Sequence, residues 1–454
     1  MKVDILVGEI GSTTTVVNAF DNVKLDPKFI GQGQAPTTVL EGDVNIGLKE
    51  AIDDLALNLN VKKVDYKDLI ATSSAAGGLR MTVHGLVYDM TVRAAKEAAL
   101  GAGANIKYIT AGKLRKSDLE KIKEINPNII LLAGGVDYGE RNTALFNGKL
   151  IAELNLKIPV IYAGNVENHD EIKEIFKDTK SELYIVENVY PKIDELNIEP
   201  TREVIQGVFE KHIVHAPGMS KVRDMLTGPI LPTPGAVMDA SQLLYDNIGD
   251  LLTLDIGGAT TDVHSVTEGS EEISRMLISP EPVAKRTVEG DLGVYVNMHN
   301  IVEGIGKEEI SKKLAITIEE VEELMANNRP IPKTDKEKHF VEILATYAVV
   351  MAVQRHAGKL RHLYGPNGKN TVAEGKDLTH VKYIIGTGGP LSRLDNNKEI
   401  MKKISLSNKG LELLPTGEAA ILIDNKYIMA SLGVLSKKYE EAALILLKES
   451  LNIE

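Results

Sequence analysis

A chain of 454 residues is too long for one compact core, and its 43% hydrophobic and 26% charged residues are those of an ordinary globular protein of two to four domains. A net charge of −12 and the absence of tryptophan argue against a nucleic-acid partner, which calls for a basic face and stacking aromatics. The absence of cysteine excludes disulfides, thiolate metal sites and a cysteine nucleophile, and fits a cytoplasmic protein. Asp4, Gly8 and Glu9 break the first apolar run, and no later apolar stretch reaches ~18 residues, so neither a signal peptide nor a membrane span is expected.

In chain order, 3–10 (VDILVGEI) reads as a buried strand, GSTT as a turn and 15–20 as the returning strand of a hairpin. Residues 29–35 are extended, and 39–59 have helical spacing with Val44, Leu48, Ile52 and Leu55 on one face. DLIATSSAAGG (68–78) is a strand ending in small residues. From Gly78 to Tyr190 the apolar runs IKYITAG, NIILLAGG, IPVIYAGN and ELYIVEN alternate with helix-like segments, the pattern of a parallel sheet. Residues 201–213 and 232–247 read as helices. LLTLDIGGATTDVHSVT (251–267) is again strand, glycine turn, strand, and repeats the N-terminal design 246 residues later, counting Glu9 to Asp255. ANNRPIPKTDKE (326–337) is the candidate exposed loop, 338–365 a long helix and 381–389 a strand entering a glycine turn. From Asn425 a short strand and a helix or two close the chain. The expected division is 1–77 for a first half, 78–200 for an inserted α/β domain and 201–454 for a second half.

Three motifs carry chemistry. In Glu9-Ile10-Gly11-Ser12-Thr13-Thr14-Thr15 the glycine admits a tight turn, amides and hydroxyls can donate to phosphate oxygens, and the carboxylate can face a cation. Asp255-Ile256-Gly257-Gly258-Ala259-Thr260-Thr261-Asp262 repeats that logic and adds a second carboxylate. Gly386-Thr387-Gly388-Gly389 follows a strand and offers bare backbone to a ring or ribose. No Walker A frame exists; GPNGKN (365–370) lacks its spacing. Asp262-Val263-His264 begins like a cobalamin-ligand motif, but Thr267 stands where glycine is needed. Gly134-Gly135-Val136-Asp137 reads as a structural strand–helix turn, and His356 and His362 do not share a helical face. Arg286, Glu289 and Asp291 read equally as cleft-lining or as salt-bridging residues.

The order of these motifs resembles the actin/Hsp70/sugar-kinase superfamily: an α/β fold in which a duplicated ATPase core of ribonuclease-H-like halves carries, here, an inserted parallel α/β domain. The resemblance implies ATP and Mg²⁺ as cofactors, with Glu9 and Asp255 on the metal side and Glu9, Asp255 and Asp262 as catalytic candidates. Gly11, Ser12, Thr13, Thr14, Gly257, Gly258, Ala259, Thr260 and Thr261 then hold phosphates, and Gly386, Thr387, Gly388 and Gly389 touch adenosine. Thr72–Gly78 and Ala430–Val434 match the connecting segments about which the halves rotate. The family usually has aspartate where this chain has Glu9, which implies a longer water bridge to the metal or slower hydrolysis.

Along nearly the whole chain, EIGSTTTVVNAFD, LLAGGVD, TREVIQGVFEKHI, PTPGAVMDA, LLTLDIGGATTDVHSVT, RTVEGDLGVYVN and GTGGPL resemble the glutamate-mutase accessory-protein (MutL) family. This implies an ATP-dependent reactivating chaperone for an adenosylcobalamin-dependent mutase or aminomutase, acting without nucleic acid or membrane. A homo-oligomer is compatible with it. The insert is expected to dock the client without binding cobalamin, since His84 and His169 lie outside any cobalamin-ligand motif. A small-molecule kinase with Asp262 as base, or an actin-like polymer, is the alternative.

Overall fold

The computed structural model describes residues 1–74, 78–216, 218–365, 368–405 and 410–453. Strand β1 (Lys2–Ile10) is apolar on both faces because it lies between neighbours and under helices. It pairs antiparallel with β2 (Thr14–Asp21) and parallel with β4 (Asp65–Ser73). β3 (Lys28–Pro36) continues antiparallel beyond β2, and β10 (Ile230–Pro232) lies parallel to β4, giving the order β10-β4-β1-β2-β3.

The second sheet repeats this plan. β11 (Leu251–Ile256) pairs antiparallel with β12 (Thr261–Val266), which pairs antiparallel with β13 (Ala284–Glu289). On its other side β11 lies parallel to β16 (Tyr383–Thr387), and β16 to β17 (Ala420–Ile423). The match extends to single residues: Glu9 faces Val16 and Thr72, and Asp255 faces Asp262 and Thr387. Two sheets of three antiparallel and two added parallel strands are ribonuclease-H-like halves, and their duplication is the expected actin/Hsp70-like fold.

Between the halves, β5 (Leu79–Gly85), β6 (Ala104–Ala111), β7 (Ile129–Leu132), β8 (Val160–Tyr162) and β9 (Leu183–Ile185) form a wholly parallel sheet in the order β6-β5-β7-β8-β9. This is the expected parallel α/β insert, with one strand more than its four apolar runs. β5 (LRMTVHG) escapes a hydropathy reading because Thr82 and His84 are buried in it, the histidine between the hydroxyls of Thr82 (3.0 Å) and Thr110 (2.8 Å). The insert shares one apolar core with the first half, running from Val3, Leu6 and Ile10 through Leu79, Ala94 and Ala98 to Ile161.

Three further expectations are corrected. The division at 200/201 assigns Ile230–Pro232 to the second half, whereas it pairs with β4 of the first. Three residues ending in proline suffice for an edge strand but show no periodicity. The long helix is Asp335–His356, opened by a capping box between Thr334 and Glu337. It stops before Gly358, whose amide donates to Lys376 O (2.7 Å), and a hairpin of β14 (Lys359–Gly365) and β15 (Gly368–Glu374) follows. The terminal short strand is β17, ahead of Asn425. Met429–Ser436 and Glu440–Leu451 are helices. Among the described residues no helix is long and apolar enough to cross a membrane.

Of the two expected joints, Thr72 and Ser73 end β4, while Ala75, Ala76 and Gly77 lie outside the described residues. Ala430–Val434 belongs to the helix Met429–Ser436, which crosses the helix Thr233–Ile248 so closely that a Cβ on Gly433 comes within 1.8 Å of Ala236 O. The obstacle is backbone and cannot rotate away. Gly433→Val is therefore expected to cost more than the ~1–3 kcal/mol usual for overpacking. Urea unfolding checks this, and an unchanged midpoint contradicts the close crossing.

Candidate nucleotide-binding site

The two glycine turns close in the same way. Gly11 N donates to Thr14 O (3.1 Å) and Gly257 N to Thr260 O (2.9 Å). A Cβ on Gly11 meets Thr14 O at 2.6 Å, so only glycine fits there. Neighbouring segments then occupy the loop carbonyls. Ser74 N donates to Ile10 O (3.0 Å), Thr37 N to Thr13 O (3.0 Å) and Val296 N to Gly258 O (2.7 Å). Asn297 Nδ2 donates to Ala259 O at 2.8 Å. Among the described residues the amides of Ser12, Thr13, Gly258 and Ala259 have no acceptor. Backbone whose carbonyls are held while its N–H groups stay free is built for an anion.

The loops face each other: Thr13 Oγ1 lies 3.9 Å from the Cβ position of Gly258. Between them is a cavity of about 400 Å³. Glu9, Gly11, Ser12, Thr13, Thr14, Asp255, Gly257, Gly258, Ala259, Thr260, Asp262 and Gly389 line it. Thr261 does not; its hydroxyl donates to Leu292 O (2.7 Å). Gly386 sits inside β16 against Leu391 and Ile423, and Thr387 donates to Asp424 (2.9 Å). Gly388, at φ +85°, backs onto Ile256 and the Asp255 carboxylate. Gly388 thus backs Asp255, Gly386 and Thr387 are engaged within the second half, and of the four only Gly389 lines the cavity.

The carboxylates differ in their surroundings. Glu9 Oε1 accepts from Ser431 Oγ (2.6 Å), Ser431 N (3.0 Å) and Asn18 Nδ2 (3.3 Å), which ties the first hairpin to the C-terminal part of the chain. Its burial raises its pKa to about 7 despite those donors. Asp262 Oδ1 accepts from Arg286 Nε (2.9 Å) and Nη2, and its Oδ2 from Thr260 Oγ1 (3.1 Å). A carboxylate so engaged is not a free base, which weighs against the kinase alternative. Asp255 has no donor among the described residues. Burial first, then the charges of Asp262 and Glu9, push its pKa up to about 7. Among the described residues no three His, Asp or Glu side chains gather to hold a metal unaided. A cation held by one carboxylate, with phosphate and water completing its shell, fits Asp255.

Several lining residues carry no sequence signal. Arg329-Pro330-Ile331-Pro332, from the expected exposed loop, borders the cavity, as do Tyr295, Arg393 and Tyr427. Arg393 reaches across to Gln34 (2.9 Å) and Gln32 (3.1 Å) of β3 and stacks on Tyr427. Arg286 both lines the cavity and is salt-bridged, while Glu289 and Asp291 pair with Arg355 (2.8 and 2.7 Å). Buried His264 has no partner on either nitrogen among the described residues, and burial lowers its pKa well below the usual value. His356 is bonded to Thr287 and Ser265, and His362 lies on β14. Asp137, in the Gly134–Asp137 turn, accepts from Val166 N and Asn188 Nδ2.

The model of the MutL protein family matches residues 5–451. Protein MutL of Clostridium tetanomorphum is 38% identical over 458 residues, 98% of either chain. The chain belongs to the MutL protein family. Solved structures with a similar course include nucleotide-free acetone carboxylase (12% identity, 95% of this chain and 70% of that one, TM-score 0.41). Component A of (R)-2-hydroxyglutaryl-CoA dehydratase from Acidaminococcus fermentans (9%, 97% and 99%, 0.30) and glycerol dehydratase reactivase (10%, 95% and 100%, 0.30) are others. At these scores the likeness adds nothing to the strand order.

The raised carboxyl of Asp255 sets a pH dependence for this family member. Between its ordinary value of 3.8 and about 7 the folded chain holds a proton that the unfolded chain releases. Stability without nucleotide therefore falls as pH rises through that window. Asp255→Asn removes the cost, so its melting point is expected to exceed the wild type's at pH 8 and to match it at pH 4. A gap independent of pH contradicts the assignment.

Proposed function

We propose that the cleft binds Mg·ATP and hydrolyses it, and that the chain serves in the cytoplasm as an ATP-driven accessory factor that reactivates an adenosylcobalamin-dependent mutase or aminomutase by releasing damaged cofactor. The observation that carries the nucleotide reading is the pair of matched hairpins facing each other with unpaired amides. Membership of the MutL protein family supports the client class.

In this reading the amides and hydroxyls of Ser12–Thr14 and Gly258–Thr260 grip the phosphates from opposite halves. Asp255 holds Mg²⁺, which offsets negative charge on the phosphate oxygens. The apolar side of the cavity, with Val294, Tyr295, Ile331 and Leu394, takes the nucleoside. Asp255→Ala is expected to lower ATP turnover, measured without any acceptor, by at least about 100-fold. Calorimetry giving wild-type Mg·ATP affinity and turnover in that variant overturns the nucleotide reading. Turnover that appears only with an added acceptor overturns the chaperone reading.

The insert is the proposed docking body for the client. Its strands are parallel, so their C-terminal ends share one edge. The segments leaving that edge expose Val87, Tyr88, Tyr138, Val166 and Ile193, with Tyr138 80% accessible. Exposed aromatic and aliphatic side chains of this kind anchor partners. Tyr88→Ser with Tyr138→Ser is expected to weaken capture of the mutase about tenfold with ATP turnover unchanged. Undiminished capture refutes docking at this edge.

A further inference from the structure

The helix Arg93–Gly101 of the insert ends in a turn, Leu100–Ala104, wedged into the core of the molecule. A Cβ on Gly101 meets the Arg202 guanidinium at 2.3 Å, and one on Gly103 meets Gly235 N at 2.6 Å. Arg286 of β13 reaches this turn and is itself buried. Its Nη1 donates to Leu100 O (3.0 Å) and Ala104 O (2.9 Å), while Nε and Nη2 hold Asp262. Asp262 in turn accepts from Thr260 of the second glycine loop. One guanidinium thus spends one side on the carboxylate behind the loop and the other on insert backbone. Arg202 adds a second tie, from Nη2 to Ala284 O (3.3 Å), two residues from Arg286 on the same strand.

A planar guanidinium with a fixed fork of donors transmits orientation as well as charge. Its seat at a helix C-terminus, where carbonyls lack intrahelical donors, makes the tie favourable from the insert's side as well. The first half has no counterpart: Val16 stands where the second has Asp262.

We propose that Arg286 is a positioning residue that makes the second glycine loop and the insert move as one, through Thr260, Asp262 and the Leu100–Ala104 turn. Loading the cleft then changes the insert through this contact, and a load on the insert changes the loop. The inference rests on the nucleotide reading above.

The test is amide hydrogen exchange on the full chain, with and without a non-hydrolysable ATP analogue, alongside calorimetry with the same analogue. In the wild type, bound analogue is expected to change exchange of residues 100–111 about tenfold. Arg286→Lys keeps a positive charge beside Asp262 but loses the fork. Compared at analogue concentrations that calorimetry shows to saturate each protein, the change at 100–111 in Arg286→Lys is expected to fall below about twofold. An undiminished response at 100–111 in Arg286→Lys overturns the proposal. So does a wild type that binds the analogue without any change at 100–111, whatever the variant's stability. A wild type that fails to bind the analogue removes the nucleotide reading, and this inference with it.

Discussion

Three carboxylates, Glu9, Asp255 and Asp262, line one cleft at the inner ends of facing strands, and the rest of the cleft is organised around them. Placing such charges away from water is costly unless each finds donors or a counter-charge. Glu9 is answered by the amide and hydroxyl of Ser431 and by Asn18. Asp262 is answered by Arg286 and Thr260. Asp255 receives a hydrogen bond from no side chain among the described residues, feels the charge of Arg286 only at a distance, and has Gly388 pressed against it from behind. The fold therefore leaves one negative group facing the cavity with free amides around it. Free amides attract an anion and an unbalanced carboxylate attracts a cation, and a metal-bound polyphosphate supplies both at once.

The two halves share a strand order and a turn, and their differences are informative. The first loop is pinned by single contacts from Thr37 and Ser74. The second is pinned by the consecutive residues Val294–Asn297, with Gly293 so close to Ala259 that a Cβ has no room. Among the described residues only the second half carries a charged residue opposite its strand-end carboxylate, and only that half is tied by arginine to the insert. Duplication supplied two glycine loops, and the asymmetry built on them gives the cleft a direction.

What was legible in the sequence was local. A carboxylate, glycine and hydroxyls following an apolar strand can be read within eight residues, and both hairpins stand where that pattern lies. Regular alternation of apolar runs with helices likewise exposed the insert, whose strands pair with one another. What depends on distant partners was not legible. Ile230–Pro232 is a strand because β4 offers it an edge, and Ala284–Glu289 carries buried Lys285 and Arg286 that a hydropathy reading places in solvent. Gly386–Gly389 shows the limit on the functional side. A glycine permits close approach, but the approaching group is protein for Gly386 and Gly388 and open cleft for Gly389.

Glu9 carries the same lesson into the cleft itself. Taken alone, glutamate in place of the usual aspartate lengthens the arm toward a metal. In the folded chain its Oε1 is already engaged, 422 residues away in sequence, by Ser431 in the first turn of the helix Met429–Ser436. Amides in a first helical turn lack intrahelical acceptors, and an anionic side chain there is stabilised by the helix dipole. Asp424 supplies the same kind of contact to Ile428 and Met429 from the other side. The helix start is thus held by one carboxylate from each half of the core, and Gly433, one turn along, locks it against Ala236. An aspartate at position 9 is shorter by one methylene and gives up that reach. The extra carbon is accounted for by joining the first hairpin to the C-terminal helix at its crossing with the helix Thr233–Ile248.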